Sequence, residues 1–275
     1  MKEYTSILSK DNLKITLFSN HVNSTKGVIV ITHGMGEHAL RYSEMAAFFT
    51  NEEFAVVAFD IRGHGLSEGK RGHTPSYTYL MDDLERVSLK VKSDYPTIPM
   101  ILFGHSMGGN LILNFLIRKS IPVAGAVVTG PYLKLGFAPP KWKIFLAKLT
   151  TKLWPTLSQP TGLELEALSR NNEVIRKYED DEWVHDRITS AFFINVHFAG
   201  QYAIENASKV KAPLLIMHGT EDRLTSPEGS KEFANNANKN VSLKLWNGLY
   251  HELHNEPEKT DVFRFELEWI ENLLK

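Results

Sequence analysis

A short apolar run, Met100-Ile101-Leu102-Phe103, leads into Gly104-His105-Ser106-Met107-Gly108, and a further apolar stretch from Gly109 to Ile117 follows. Few patterns constrain a fold so tightly. A strand must end, turn sharply and restart as a helix, with no polar linker between them. The turn is too tight for ordinary side chains on either flank of the serine, so glycine at 104 and 108 lets the backbone close. Ser106 is then held at the top of a sheet with its hydroxyl exposed, the arrangement of a G-x-S-x-G nucleophile elbow. Such a pentapeptide also arises by chance; the strand before it and the helix after it separate this match from accident.

Strand-like and helix-like segments alternate along the chain. Gly27 to Thr32, Phe54 to Phe59, Val123 to Thr129 and Pro213 to Met217 are continuous apolar runs of the kind buried on both faces in a parallel sheet. Leu13 to Phe18 alternates like a half-exposed strand, and Val241 to Trp246 reads as a last strand nearer the sheet edge. Helical stretches are predicted at about Arg41 to Glu52, Ser76 to Ser93, Met107 to Lys119, Pro227 to Asn238 and Glu258 to Leu274. The fold class is α/β, a mostly parallel central sheet flanked by helices. Between Pro131 and Val196 the alternation stops, over a stretch too long for an unstructured loop. This reads as a helical cap, residues 131–196, inserted into a core made of residues 1–130 and 197–275. In the cap, Trp142, Phe145, Leu146, Leu149 and Leu153 share one helical face, with Lys141, Lys148 and Lys152 on another. Such a helix packs its apolar face on its own protein. As a lid, it can also show that face to a lipid–water interface.

The formal net charge is −1 and no long basic block interrupts the chain, so nothing argues for nucleic acid. Cysteine is absent, which excludes disulfides and thiolate metal sites and is compatible with a reducing cytosol. Met1 to Ser6 lacks the apolar core of a signal peptide, and no run approaches the length of a spanning helix. The expectation is a soluble, cytoplasmic protein whose membrane contact, if any, is peripheral and made through the cap. No feature specifies an oligomeric state.

A serine is a poor nucleophile at neutral pH and needs a base, which needs an orienting acid. On this kind of fold the chain order is serine, acid, histidine. Asp222 lies directly beyond the run Pro213 to Met217, with Glu221 its nearest competitor. Val241 to Trp246 leads to His251 and His254; His251 comes sooner after the strand and is the expected base. Two backbone N–H groups would hold the developing oxyanion. One belongs to Met107, the residue after the serine. The other belongs to Met35, in the loop His33-Gly34-Met35-Gly36-Glu37-His38, where glycines let the backbone turn inward. Asp60 to Ser67 ends another strand and reads as structural loop chemistry.

With His33 to His38, Gly63-His64-Gly65-Leu66-Ser67-Glu68-Gly69, Gly104 to Gly109 and His251-Glu252-Leu253-His254 in this order, the chain resembles the monoacylglycerol lipase and lysophospholipase family of α/β hydrolases. The resemblance covers the chain outside the cap. It implies an α/β-hydrolase fold and a serine hydrolase acting on carboxylic esters of single-chain lipids. The triad would be Ser106, Asp222 and His251, and the oxyanion donors Met35 and Met107. Glu37 and His254 would lie near a glycerol head group, against a plainer reading as a loop brace and a surface imidazole. No metal or organic cofactor is implied. The expected reaction turns monoacylglycerol into glycerol and fatty acid through an acyl-serine. Lysophospholipase or short-chain carboxylesterase activity is the nearer alternative, with acyl transfer to an alcohol beside it, and a non-catalytic binding protein on a hydrolase fold the more distant one.

Overall fold

Successive side chains of the apolar runs point to opposite faces of one sheet, and both faces are covered. In a computed structural model, which describes residues 1, 3–137 and 140–275, the elements are β1 (Glu3–Leu8), β2 (Lys14–Asn20), β3 (Gly27–Thr32), α1 (Ser43–Asn51), β4 (Phe54–Phe59), α2 (Tyr77–Asp94), β5 (Met100–His105), α3 (Met107–Arg118), β6 (Gly125–Thr129), α4 (Lys141–Leu153), β7 (Ser158–Pro160), α5 (Asn172–Glu179), β8 (Arg187–Thr189), α6 (Ser190–Glu205), β9 (Leu214–Gly219), α7 (Pro227–Asn236), β10 (Val241–Trp246) and α8 (Lys259–Leu274). The eight-stranded sheet has the order β1-β2-β4-β3-β5-β6-β9-β10. It is parallel from β4 to β10, while β2 pairs antiparallel with both β1 and β4.

The period of two sorts each central strand into two cores. Val28, Val30, Leu102, Val128 and Ile216 pack under α2, α3, α6 and α7, with Leu84, Leu111, Val196 and Phe233. Ile29, Ile31, Phe103, Val127 and Met217 pack under α1 and α8, with Phe49, Val262 and Ile270. A strand buried on both sides has no polar face, which is why these runs are continuous rather than alternating. Because β3, β5, β6, β9 and β10 are parallel, the loops that follow them gather at one end of the sheet.

The strand β1 has no counterpart in the sequence reading. All but one of its residues are exposed, so no burial pattern marks it, and it is held as the outer arm of a hairpin with β2. Between β6 and α6 lie α4 and α5, with β7 and β8 pairing as one short antiparallel ribbon. Helix α6 begins at Ser190 and runs across the expected boundary at 196/197. Asn110 and Asn114 of α3 donate to the carbonyls of Val196 and Ala199 at 3.2 and 3.0 Å, so α6 belongs to the layer over the sheet. On α4 the apolar face turns outward: Trp142, Phe145, Leu146, Leu149 and Leu153 are all exposed, Phe145 by 66%. That face is thus turned largely to solvent. The side chain of Lys141 lies outside the described residues.

One buried group fits no layer. On α8 the buried stripe Val262, Phe263, Glu266 and Ile270 places a carboxyl in the apolar core. Glu266 is 0% exposed, and neither carboxyl oxygen has a hydrogen-bond partner among the described residues. Burial pushes its pKa well above the usual carboxylate range. The native state thus keeps a proton that the unfolded chain releases above the ordinary glutamate pKa, so stability falls as pH rises from there toward the folded value. Glu266→Met keeps the length and removes the polar atoms. It should raise stability by about 1–3 kcal/mol at neutral pH, with a larger gain at pH 8 than at pH 5 in thermal melts; a loss of stability, or a gain independent of pH, would contradict this account.

Candidate active site

The elbow is built as its glycines require. Ser106 links β5 to α3 at φ 53° and ψ −114°, a conformation an L residue rarely adopts. Its N–H donates to Thr129 at 2.9 Å, and its carbonyl accepts from Asn110 at 3.0 Å and Tyr132 at 2.9 Å. A Cβ on Gly108 would lie 2.1 Å from the Thr32 carbonyl oxygen and 2.5 Å from that of His33. A Cβ on Gly104 would lie 2.6 Å from the Gly108 carbonyl oxygen. Helix α3 can therefore start against the end of β3 only with glycine at these positions.

That contact brings the loop after β3 to the serine. A Cβ on Gly34 would lie 3.3 Å from Ser106 Cβ. Glu37 braces the loop from within: Oε1 accepts from the Gly34 N–H at 2.6 Å and the Tyr42 hydroxyl at 2.8 Å. His33 accepts the Ile61 N–H on Nε2 at 2.9 Å, which leaves Nδ1–H to donate to the Gly34 carbonyl at 2.7 Å. Among the described residues, no protein acceptor takes the N–H of Met35 or that of Met107, the first of α3. Asp60 accepts the Ala39 and Leu66 N–H groups and Arg62 pairs with Asp83 and Asp11, so this loop braces the sheet end.

Beyond β9, Asp222 is buried while Glu221 is exposed. Asp222 Oδ1 accepts the N–H groups of Leu224 at 2.8 Å and Thr225 at 2.9 Å. Oδ2 meets the Thr225 hydroxyl at 2.8 Å, His218 Nε2 at 3.0 Å and His251 Nδ1 at 2.7 Å. Burial alone would raise this carboxyl's pKa, but the charge of His251 and these hydrogen bonds hold it far below the usual range. Burial alone would likewise depress His251; the Asp222 carboxylate outweighs it, and the imidazole pKa is raised above the ordinary histidine value. His218 and Thr225 were not among the residues the sequence singled out, although both lie at the end of β9 where functional loops gather.

Ser106 and His251 open on one cavity of about 350 Å³. Met35, Tyr132, Ile144 and Ala147 of α4 and Phe193 of α6 line it, so its walls are mostly apolar. Glu37 and Glu252 also reach the wall, but Arg41 binds both, at 2.5 and 2.7 Å. His254 is not among the lining residues. It is buried between Tyr42 and His105, with ring centroids at 4.6 and 4.8 Å, and burial lowers its pKa to about 3. His254, expected near a head group or, on the plainer reading, at the surface, is a buried ring outside the cavity lining, and Glu37 braces its loop from the cavity wall.

The sequence matches the Hydrolase_4 family, described as serine aminopeptidase, S33, over residues 23–258. It is 34% identical over 247 residues to a monoacylglycerol lipase of Mycolicibacterium smegmatis, covering 89% of this chain and 88% of that protein. It is 31% identical over 269 residues to an uncharacterized abhydrolase domain-containing protein of Dictyostelium discoideum, covering 97% of this chain but only 28% of that protein's length. Among solved structures, the monoacylglycerol lipase of Paleococcus ferrophilus superposes with a TM-score of 0.85 at 32% identity, covering 94% of this chain and 98% of that one.

The pairing of Asp222 with His251 can be read directly. In Asp222→Asn the carboxylate charge is gone while burial remains, so the His251 pKa should fall below the ordinary histidine value. An NMR titration of the imidazole Cε1–H measures this, and an unchanged pKa would separate the two residues.

Proposed function

The chain belongs to the Hydrolase_4 (serine aminopeptidase, S33) family of α/β hydrolases, and we propose that Ser106, Asp222 and His251 act in it as nucleophile, orienting acid and general base in the hydrolysis of monoacylglycerols. The protein is an enzyme, a carboxylic ester hydrolase. The observation that carries the role assignment is the 2.7 Å contact of His251 with Asp222, together with the shared apolar cavity onto which Ser106 and His251 open.

The chemistry follows from which atoms are already engaged. His251 Nδ1 is held by Asp222, so Nε2 is the atom left to take the Ser106 proton as Oγ attacks the ester carbonyl. The oxyanion is held by the N–H groups of Met35 and Met107, which need no rearrangement at the moment of reaction. Collapse of the tetrahedral intermediate releases glycerol, protonated by His251, and leaves an acyl-serine. Water attacks that ester with the same base, and the fatty acid leaves. The raised imidazole pKa favours the imidazolium that forms in each step.

The family description names a peptidase, and the cavity favours the ester. An aminopeptidase must seat a substrate ammonium on an available carboxylate. The Glu37 and Glu252 carboxylates on the wall are both committed to Arg41. A mostly apolar wall suits an acyl chain instead. Ser106→Ala should lower turnover of a monoacylglycerol by about 10⁴- to 10⁶-fold without loss of the folded state. It should also abolish labelling by a fluorophosphonate. Retained turnover would remove Ser106 from the mechanism. Rates across monoacylglycerols, lysophospholipids, simple esters and an aminoacyl amide then rank the substrate classes.

The outward face of α4 supports a second element of this reading, a peripheral docking of the cap on lipid surfaces. Phe145, Leu149, Leu153 and Trp154 are exposed, with Lys152 beside them. The opposite side of the helix contributes Ile144 and Ala147 to the cavity, so one helix would face both lipid and substrate. Among the described residues no helix is long and apolar enough to cross a membrane. The variant Phe145→Ser/Leu149→Ser/Trp154→Ser should lose sedimentation with anionic phospholipid vesicles while keeping its rate on a soluble short-chain ester. Unchanged vesicle binding would exclude this face.

A further inference from the structure

Neither the loop that carries the oxyanion donor nor the loop that carries the base is a regular element, yet catalysis needs both held within fractions of an ångström of the serine. The structure assigns that task to Arg41: we propose that it is a positioning residue, clamping the oxyanion loop to the base loop behind the stretch of cavity wall that Glu37 and Glu252 line. This rests on the reading of Ser106 and His251 given above.

Arg41 sits in the short 3-10 turn Ala39–Tyr42, after the oxyanion loop. Its two terminal nitrogens grip the Glu252 carboxylate end on, Nη1 donating to Oε1 and Nη2 to Oε2, each at 2.7 Å. This is the fork geometry that fixes direction as well as distance. Nη1 also reaches Glu37 Oε2 at 2.5 Å. Each carboxylate is one step from the chemistry. Glu252 follows His251 in the chain. Glu37 Oε1 holds the N–H of Gly34, the residue before Met35. The Tyr178 ring of α5 lies over the guanidinium at 4.7 Å, so the cap closes the clamp from its other side.

The side chains of Arg41, Glu37 and Glu252 are 9%, 3% and 2% exposed. Burying an ion pair seldom adds stability over an apolar replacement of the same shape. What such a network does supply is a fixed geometry. The Arg41 guanidinium is occupied on both carboxylates and covered by Tyr178, which separates this role from direct recognition of a substrate head group.

Three variants test it, each assayed for kcat and KM on p-nitrophenyl butyrate and on a monoacylglycerol, with active sites counted by fluorophosphonate. Arg41→Lys keeps the charge but not the fork. Glu252→Gln is isosteric and removes one charge. The triple variant Glu37→Gln/Arg41→Met/Glu252→Gln removes the clamp without leaving an unpaired buried charge. Per active site, kcat should fall by about 10- to 100-fold in Arg41→Lys and in the triple variant, equally on both esters, with KM changed by less than about threefold. Glu252→Gln should show a smaller loss with the same pattern. Wild-type kcat in Glu252→Gln, or in either of the others when folded, would overturn the clamp. So would a loss confined to the glycerol ester, which would make Arg41 a head-group contact. Failure of the catalytic reading itself shows differently, as retained turnover in Ser106→Ala.

Discussion

The start of α3 lies against the end of β3 with no room for a side chain between them. A methyl group on Gly108 would sit 2.1 Å from the Thr32 carbonyl oxygen, a distance no relaxation of a flexible side chain can relieve, because the neighbour is backbone. This contact fixes where Ser106 can be. It sets the strained turn at φ 53°, aligns the first N–H of the helix, and brings the Gly34 loop within van der Waals reach of the serine. The rest of the site is arranged around that point. The parallel register of β5 between β3 and β6 carries the elbow to the same end of the sheet as the loops after β9 and β10.

Burial then divides the histidines by their partners. His33, His64, His105 and His254 are buried without a carboxylate hydrogen bond, and burial drives each pKa down, His33 and His254 to about 3. These rings stay neutral and act as packing and hydrogen-bonding units. His251 is buried as completely, but Asp222 touches its Nδ1, and its pKa moves the other way. The same apolar surroundings that silence four imidazoles strengthen the pull of one carboxylate on the fifth. Asp222 can hold its charge in that setting because two backbone N–H groups, a threonine hydroxyl and His218 share it.

Much of this was legible in the sequence, for a definable reason. Buried parallel strands need unbroken apolar runs, and an elbow needs its glycines, so Gly27 to Thr32, Phe54 to Phe59 and Gly104 to Gly108 announce themselves. Asp222 and His251 stand directly beyond strand ends and in the right order. Strand β1 was illegible because its exposed hairpin arm leaves no burial pattern. The outward face of α4 was ambiguous because helical spacing marks an apolar stripe without saying what covers it. His254 was placed by resemblance, whereas its burial follows from packing against Tyr42 and His105. Arg41 carried one weak signal, its spacing of four from Glu37, which is shared by many surface pairs. Its partner Glu252 is distant in sequence, and only folding reveals it.

The proposed reaction places two opposed demands on the cavity. An ester with a long acyl chain must leave lipid for a site where water is scarce enough for the oxyanion donors and the Asp222–His251 pair to act at full strength. Deacylation nevertheless consumes a water molecule. A rigid apolar lid over the whole site would satisfy the first demand and defeat the second. Here the wall carries both kinds of group. Ile144 and Ala147 of α4 and Phe193 of α6 supply apolar wall, while Glu37 and Glu252 supply carboxylates. Arg41 engages both carboxylates, so their inward oxygens are fixed in place rather than free to swing toward the serine. Polar and apolar parts of the wall are contributed by different segments of the chain.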